Sequence, residues 1–201
     1  MGNSVQKVFA GLDERTRRFL LDVSVLERMN GPLCEAVGRE NGSVMLAELA
    51  DLGLFLVPLD DRKEWYRFHH LFGEFLRNRL KLQDPGRTSA LFRIAAEWCE
   101  GQKMLEEAVD YYLAGQQYEE AMRLLEPMRS VMIRREFQAI RSWLSKIPEQ
   151  MLMQRPYLYF SYIFSLLWVH DVNTADRHLR MAEKNPAAPS NRHSINRLRS
   201  S

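Results

Sequence analysis

The stretch LFLVPLDDRKEWYRFHHLFGEFLRNRL, residues 54–80, changes from strand-like to helix-like patterning within a few positions. Its first part is short and apolar, the DDRK segment is turn-like, and the WYRF segment alternates, so the pattern predicts a β-hairpin. Pro58 places the first strand at a sheet edge, because proline has no backbone N–H to donate. After the adjacent His69 and His70, apolar residues recur with a period of about 3.6, which predicts a helix.

Three helices are predicted before this hairpin. The first spans 13–29, with Asp13 as its N-cap, and the Asn-Gly-Pro segment that follows ends it. A short second helix spans 33–37. Ser43 is a suitable N-cap for the third helix, which Gly53 closes. Three helices, a hairpin and a fourth helix are the element order of a winged helix.

Beyond the fourth helix the chain is predicted to be helical. Asp-Pro-Gly at 84–86 is the clearest linker signal. The phrases LEEAVDYYLAG, YEEAMRLLE and NTADRHLRMAE then each place a small alanine before large apolar residues, which is typical of helical-hairpin repeats. We therefore predict a mainly α protein with an N-terminal tail at 1–11, a winged-helix domain at 12–83, a tetratricopeptide-like helical solenoid at 87–184 and a disordered tail at 185–201.

The composition is that of a folded protein without a strong attraction to polyanions. The 201 residues are 46% hydrophobic and 27% charged, and the formal net charge is +2. The apolar run 157–169 is shorter than the roughly 20 residues that a bilayer span needs. Cys34 and Cys99 form no CxxC pair, which favours reduced thiols. We expect a cytoplasmic protein without a membrane anchor.

The sequence contains none of the common nucleotide-binding or catalytic motifs. GxxxxGK[ST], GxGxxG, GxSxG and HExxH are all absent. The five histidines include no i, i+4 pair, and the adjacent His69 and His70 point in diverging directions, so neither arrangement suits a metal ion. We expect no enzymatic activity, no metal and no cofactor held by this chain alone. The other histidines, His170, His178 and His193, are expected to be ordinary surface or packing residues.

A winged helix suggests DNA binding, because its third helix commonly enters a major groove. That helix is predicted here at SVMLAELADLG, in which Glu48 and Asp51 are the charged residues and Lys, Arg, Asn and Gln are absent. Such a helix brings negative charge to a phosphate backbone. We therefore expect no direct nucleic-acid contact from this module, and a winged-helix DNA-binding regulator is the less favoured alternative.

Three segments carry a family resemblance: RRFLLDVSVLERMNGPLCEAV, LAELADLGLFLVPLDDRKEWYRFHHLFGEFLRNRL and AAEWCEGQKMLEEAVDYYLAGQQYEEAMRLLE. They resemble the middle portion of the large ATP-binding LuxR-family transcription activators of the MalT type. Those proteins are signal-transduction ATPases with a P-loop domain, a winged helix, a tetratricopeptide-like sensor and a C-terminal helix-turn-helix. The resemblance covers roughly residues 8–183. It implies an internal fragment, with ATP or ADP bound by the missing P-loop domain and promoter DNA by the missing helix-turn-helix.

The resemblance also implies a role for the paired histidines. In related ATPases, a Met-His-Asp-type motif begins the last helix of the winged helix, and its histidine reaches the β-phosphate of bound ADP. Phe68 falls in the methionine position and His70 in that of the aspartate, which implies His69 as the phosphate sensor. Alternatively, His69 and His70 cap the helix or pack beside Trp65 and Tyr66.

These inferences predict a regulatory module of a MalT-like activator. The winged helix would sense nucleotide state next to a P-loop domain, and the helical repeats would receive a small-molecule inducer or a protein partner. A standalone helical-repeat scaffold for protein interaction is the main alternative. The aromatic residues of the repeats are expected mainly in the interhelical core, with a minority lining the concave face: Trp98, Tyr111, Tyr112, Tyr118, Trp143, Tyr157, Tyr159, Tyr162 and Trp168.

Overall fold

The computed structural model is mainly helical, as the sequence predicts. Over the described residues it contains twelve helices and one two-stranded sheet. None of these helices is long and apolar enough to cross a bilayer. The chain divides into two compact units, Met1–Gln116 and Gln117–Ser201, which we call unit 1 and unit 2. The described residues are 2–51, 53, 55–132 and 137–184.

Unit 1 contains the winged-helix order of three helices, a hairpin and a further helix, between an additional helix before it and two after it. Its elements are α1 (Gly2–Gly11), α2 (Glu14–Val23), α3 (Gly31–Gly38), α4 (Gly42–Asp51), β1 (Leu56–Pro58), β2 (Tyr66–Phe68), α5 (His70–Gln83), α6 (Pro85–Gly101) and α7 (Leu105–Ala114). Unit 2 contains α8 (Tyr118–Met132), α9 (Phe137–Leu144), α10 (Glu149–Leu152), α11 (Pro156–Trp168) and α12 (Val172–Lys184).

Helix α1 occupies the segment that the sequence analysis assigned to a tail. Its residue Phe9 is only 3% exposed. The Phe9 ring packs edge-on against Phe75 of α5, with 5.5 Å between the ring centroids, and the Arg79 guanidinium lies 5.2 Å from the Phe9 centroid. Burial of the Phe9 ring against α5 thus stabilises the position of this short helix.

Helix α2 is shorter than its apolar spacing suggests. It begins as predicted, because the Asp13 carboxylate accepts a hydrogen bond of 2.9 Å from the Thr16 backbone N–H. It ends at Val23, however, whereas the prediction continued to Met29. Met29 is fully buried but pairs with Tyr66 of β2 as an isolated bridge. The apolar residues after Val23 therefore reflect burial in a non-helical segment.

The next two helices begin at asparagines. Asn30 caps α3 by accepting 2.9 Å from the Leu33 N–H. Asn41 caps α4 by accepting 3.1 Å from the Val44 N–H, so Ser43, the predicted N-cap, already lies inside the helix. Gly53 follows α4 with a φ of 62°, the left-handed conformation that suits glycine after a helix.

The hairpin confirms the position predicted for Pro58. The strands pair antiparallel, with Pro58 opposite Tyr66. The Leu59 N–H donates to the Trp65 carbonyl at 2.8 Å. The backbone N–H and C=O groups of the odd-numbered residues in and next to β1 therefore face β2. The nitrogen of Pro58 therefore faces away from β2, so its missing N–H removes no hydrogen bond between the two strands.

The opposite side of β2 is attached to the helices. Met29 and Tyr66 exchange two backbone hydrogen bonds, of 2.7 and 2.8 Å. At the end of the hairpin the His69 N–H donates 2.6 Å to the Phe55 carbonyl. The segment at Met29 thus acts as a third strand beside β2, and β1 is the outer strand.

The predicted linker at 84–86 is the start of a helix. The Asp84 carboxylate accepts 2.8 Å from the Arg87 N–H, and Pro85 occupies the first turn of α6, where its missing N–H costs nothing. Helices α6 and α7 pack against each other and belong to the same compact unit as the winged helix. The boundary between the two units consequently lies later than the linker expected from the sequence.

Unit 2 is built around α11, which contacts α8, α9, α10 and α12. Helix α8 continues past the YEEAMRLLE phrase and contains Pro127. The alanines of the repeated phrases, Ala108 in unit 1 and Ala121 and Ala175 in unit 2, are each 0% exposed, as expected for sites of close helix approach. Residues 133–136 and the predicted tail at 185–201 lie outside the described residues.

Replacement of Gly42 by alanine tests the close approach of α3 and α4. A Cβ at Gly42 would lie 2.0 Å from the Gly31 carbonyl oxygen and 2.7 Å from the Glu35 nitrogen, so backbone would have to move. We expect Gly42→Ala to lower the free energy of unfolding by about 3 kcal/mol in urea titrations. Gly101→Ala is the matched control, because nothing lies within 4 Å of its Cβ, and it should be neutral or slightly stabilising. Equal urea midpoints for the two variants would contradict the packing described.

Candidate functional site

His69 lies at the junction of β2 and α5. It is the N-cap residue of α5, with φ −55° and ψ 135°, and its carbonyl accepts 3.0 Å bonds from the Phe72 and Gly73 N–H groups. Its side chain is exposed and makes no capping hydrogen bond. Of the two predicted interpretations, capping by the His69 side chain is therefore wrong. The backbone is fixed while the imidazole points to solvent.

His70 has different surroundings. It is the first residue of α5, and its Nε2 lies 3.6 Å from Glu74 Oε1 across one helical turn. It lines a cleft of about 620 Å³ in unit 1, which His69 does not line. Adjacent residues point in different directions, so the two histidines serve different surfaces.

The elements that line the cleft beside His70 contribute opposite charges. Arg67 comes from β2 and Arg77 from α5, as His70 does, whereas Glu107 and Asp110 come from α7. The lining also includes the rings of Phe68, Phe92 and Tyr111. The cleft therefore combines an aromatic surface with separated cationic and anionic groups.

Polar contacts join α7 to the winged helix at one end of this cleft. Arg28 forms an ion pair with Glu107, and its guanidinium lies 4.7 Å from the Trp65 ring centroid. The Glu27 N–H donates 3.2 Å to the Tyr111 hydroxyl oxygen. Tyr111 is 6% exposed, and burial raises the pKa of its hydroxyl, which keeps it neutral and available for hydrogen bonding.

A buried ion pair joins α6 to α2. Asp22 is 5% exposed, and an Arg87 nitrogen lies 2.6 Å from its carboxylate. Burial raises the pKa of Asp22, and the nearby guanidinium groups of Arg87, Arg18 and Arg39 oppose that rise. Neither this pair nor Arg28–Glu107 has a local sequence signal, because the members are 65 and 79 positions apart.

The aromatic residues of the helical region divide between core and surface. Tyr111, Tyr112, Trp143 and Tyr159 are at most 6% exposed and belong to the core, which is four of the nine residues and fewer than the majority expected. Trp98, Tyr118 and Tyr162 are half-buried. Tyr157 and Trp168 of α11 are each 60% exposed, so they belong to the minority that reaches the surface.

Unit 2 has a buried polar cluster around His178. This residue is 4% exposed, and its Nδ1 lies 2.9 Å from Glu149 Oε1 and 3.0 Å from the Tyr159 hydroxyl oxygen. Tyr162 packs edge-on against the imidazole ring. Burial and the charge of Glu149 raise the pKa of Tyr159 to about 12. His178 is thus a packing residue, as expected, with polar partners that the sequence did not indicate.

No group of three or more His, Cys, Asp or Glu side chains suited to a metal ion occurs in the part of the chain that the structure describes. Cys34 and Cys99 are both free and buried. Burial raises the pKa of Cys34 to about 12 and that of Cys99 to about 11. Both thiols are therefore protonated at neutral pH and poorly nucleophilic.

Comparison with known families identifies most of the winged-helix part of unit 1. Residues 5–88 match the family model of the MalT winged helix domain. This region is a MalT-type winged helix domain. The match includes most of α1 and extends into the start of α6. Helix α1, with its buried residue Phe9, is therefore largely part of the family domain.

Two transcriptional regulators and a protein kinase are among the curated proteins that this chain resembles. The chain is 42% identical over 111 residues to the HTH-type transcriptional regulator MalT of Klebsiella pneumoniae subsp. pneumoniae, and 40% identical over 111 residues to MalT of Cronobacter sakazakii. Each match covers 55% of this chain and 12% of the relative. The chain is also 39% identical over 122 residues to the serine/threonine-protein kinase PknK of Mycobacterium tuberculosis, covering 60% of this chain and 11% of the kinase. The matched region is thus a small part of each relative.

Removal of Arg87 tests the attachment of α6 to the MalT-type winged helix. Arg87→Leu leaves the buried Asp22 carboxylate without its ion-pair partner, and we expect a loss of about 2 kcal/mol at neutral pH, since Arg87 is partly exposed. The pKa of Asp22 is already raised by burial, and the substitution raises it further. The penalty should therefore be absent below the unfolded-state pKa, where the carboxyl is protonated in both states, and grow as pH rises through the folded-state value.

Urea unfolding of wild type and Arg87→Leu between about pH 3.5 and pH 7 measures this dependence. The double variant Asp22→Asn, Arg87→Leu is the control, because it carries no buried charge and should recover much of the loss at neutral pH. A destabilisation that does not change with pH would show that Arg87 acts through packing alone.

Proposed function

We propose that the chain is a regulatory module of a MalT-type transcription regulator. In this proposal the winged helix responds to the nucleotide held by a P-loop domain, and the helical repeats receive a small-molecule inducer or a protein partner. The match of residues 5–88 to the MalT winged helix domain carries the proposal. Relatives named as transcriptional regulators support it.

The surroundings of His69 support a role in phosphate sensing. The imidazole is exposed at the N-terminus of α5, a 14-residue helix. The first backbone N–H groups of a helix have no intrahelical acceptor, and the helix dipole favours an anion there. A hydrogen bond from an imidazole to a phosphate oxygen contributes about 1.5 to 3 kcal/mol. His69 can reach a docked nucleotide without any change in the backbone that its hydrogen bond to Phe55 holds.

The polar contacts within unit 1 suggest how a signal would travel. Arg28–Glu107 and Asp22–Arg87 attach α7 and α6 to the winged helix. A displacement of the winged helix would therefore carry the first helical pair with it. In the proposed mechanism, nucleotide and inducer bias two arrangements of the full regulator through this shared body.

The proposal needs no reactive centre and no DNA contact in the winged helix. Glu48 and Asp51 are both exposed on α4, so the helix that commonly enters a major groove presents carboxylates to solvent. ATP or ADP would be a ligand of the adjoining P-loop domain. The match to a protein kinase as well as to transcriptional regulators suggests that the output is set by other domains of each protein.

A chimera can test His69. We would replace the corresponding region of full-length Klebsiella pneumoniae MalT with residues 5–116 of this chain and measure the release of bound ADP. His69→Ala should accelerate release roughly tenfold, as expected for loss of one charge-assisted hydrogen bond. His70→Ala is the matched neighbour control and should leave release within about twofold of the parent, because His70 lies beside Glu74 and lines the cleft that His69 does not line. Identical ADP release from folded His69→Ala and parent chimeras would refute the sensing role.

A further inference from the structure

The lining of the cleft in unit 1 includes three cationic or ionisable side chains with unused hydrogen-bonding capacity. The Arg67 side chain is exposed and has no ion-pair or hydrogen-bond partner among the described residues. Arg77 makes a single long bond, 3.4 Å from Nη1 to the Ser24 carbonyl. His70 has only the 3.6 Å contact with Glu74. Most of their N–H groups therefore remain available to a ligand.

The position of Arg77 depends on Gly73. A Cβ at Gly73 would lie 3.2 Å from Arg77 Nη1 and 3.4 Å from Nη2, so the guanidinium lies directly over this turn of α5. Residues 70, 73 and 77 share one face of the helix. The Arg77 guanidinium therefore lies on the same face of α5 as His70, and both line the cleft together with Arg67 of β2.

The rest of the cleft restricts what can bind. Phe92 and Tyr111 form a tilted ring pair with centroids 6.4 Å apart. The lining also contains the acidic residues Glu27 and Glu107, of which Glu107 is paired with Arg28. These carboxylates repel a long polyanion such as nucleic acid but accept hydrogen bonds from a ligand. The volume of about 620 Å³ is in the range of small-molecule sites.

We propose that this cleft binds a small organic anion. Arg67, Arg77 and His70 hold its phosphate or carboxylate group, because guanidinium groups match such oxygens in geometry as well as charge. Its apolar body packs on Phe92 and Tyr111, and hydroxyl or amine groups face the acidic residues. The site goes beyond the proposed function, since His69 does not line it and all its residues belong to this chain.

Calorimetric titration of the intact chain with phenyl phosphate, benzoate and inorganic phosphate tests the site. Saturable binding of phenyl phosphate or benzoate, tighter than that of inorganic phosphate, is expected, and the stronger of the two identifies the anionic group. Arg67→Gln and Arg77→Gln should each weaken binding roughly tenfold. Arg62→Gln removes an exposed charge at the hairpin turn, away from the cleft lining, and should leave affinity unchanged.

The contributions of the aromatic surface and of the fold can be separated. Phe92→Leu should weaken phenyl phosphate binding while leaving inorganic phosphate unaffected. Arg67 is exposed, so its variant keeps the fold, which circular dichroism would check. The proposal is overturned if no probe binds saturably to the folded chain, or if Arg67→Gln binds as tightly as wild type. Neither result bears on ADP retention by the chimera, so this test and that of His69 fail independently.

Discussion

Two backbone hydrogen bonds between Met29 and Tyr66 attach the hairpin to the helices of unit 1. They place β2 between β1 and the segment that follows α2, and they fix which face of β2 is turned inward. Phe68 is buried on that inward face, and α5 begins two residues later. The exposure of His69 and the position of His70 in the cleft therefore both depend on a strand pairing made elsewhere in the chain.

The structure extends the winged helix into a larger body. Helices α6 and α7 join it through a buried ion pair at Asp22 and through the contacts of Arg28 and Tyr111. Breaking a buried pair leaves an uncompensated charge, so such contacts resist separation more strongly than surface ion pairs do. The cleft between α5 and α7 exists because these contacts hold its walls, which makes the first helical pair part of the site as well as of the fold.

Local patterning predicted the elements and left their assembly open. The N-cap at Asp13 and the edge position of Pro58 depend on neighbouring residues, so the sequence could show them. The end of α2 depends on Met29 pairing with a distant strand, and periodicity cannot distinguish burial in a helix from burial beside a strand. The location of His69 between strand and helix followed from local patterning and its proposed role from the family resemblance, whereas the charged residues of the cleft come from distant segments.

Pro58 has a consequence for the behaviour of the exposed hairpin in solution. The outward edge of β1 offers few backbone donors: Leu56 has one, and the next outward position is occupied by proline. A sheet edge with so few donors is a poor template for adding a strand from another molecule. If a regulator uncovers this hairpin when its domains rearrange, Pro58 alone would thus protect it against self-association through the edge of β1.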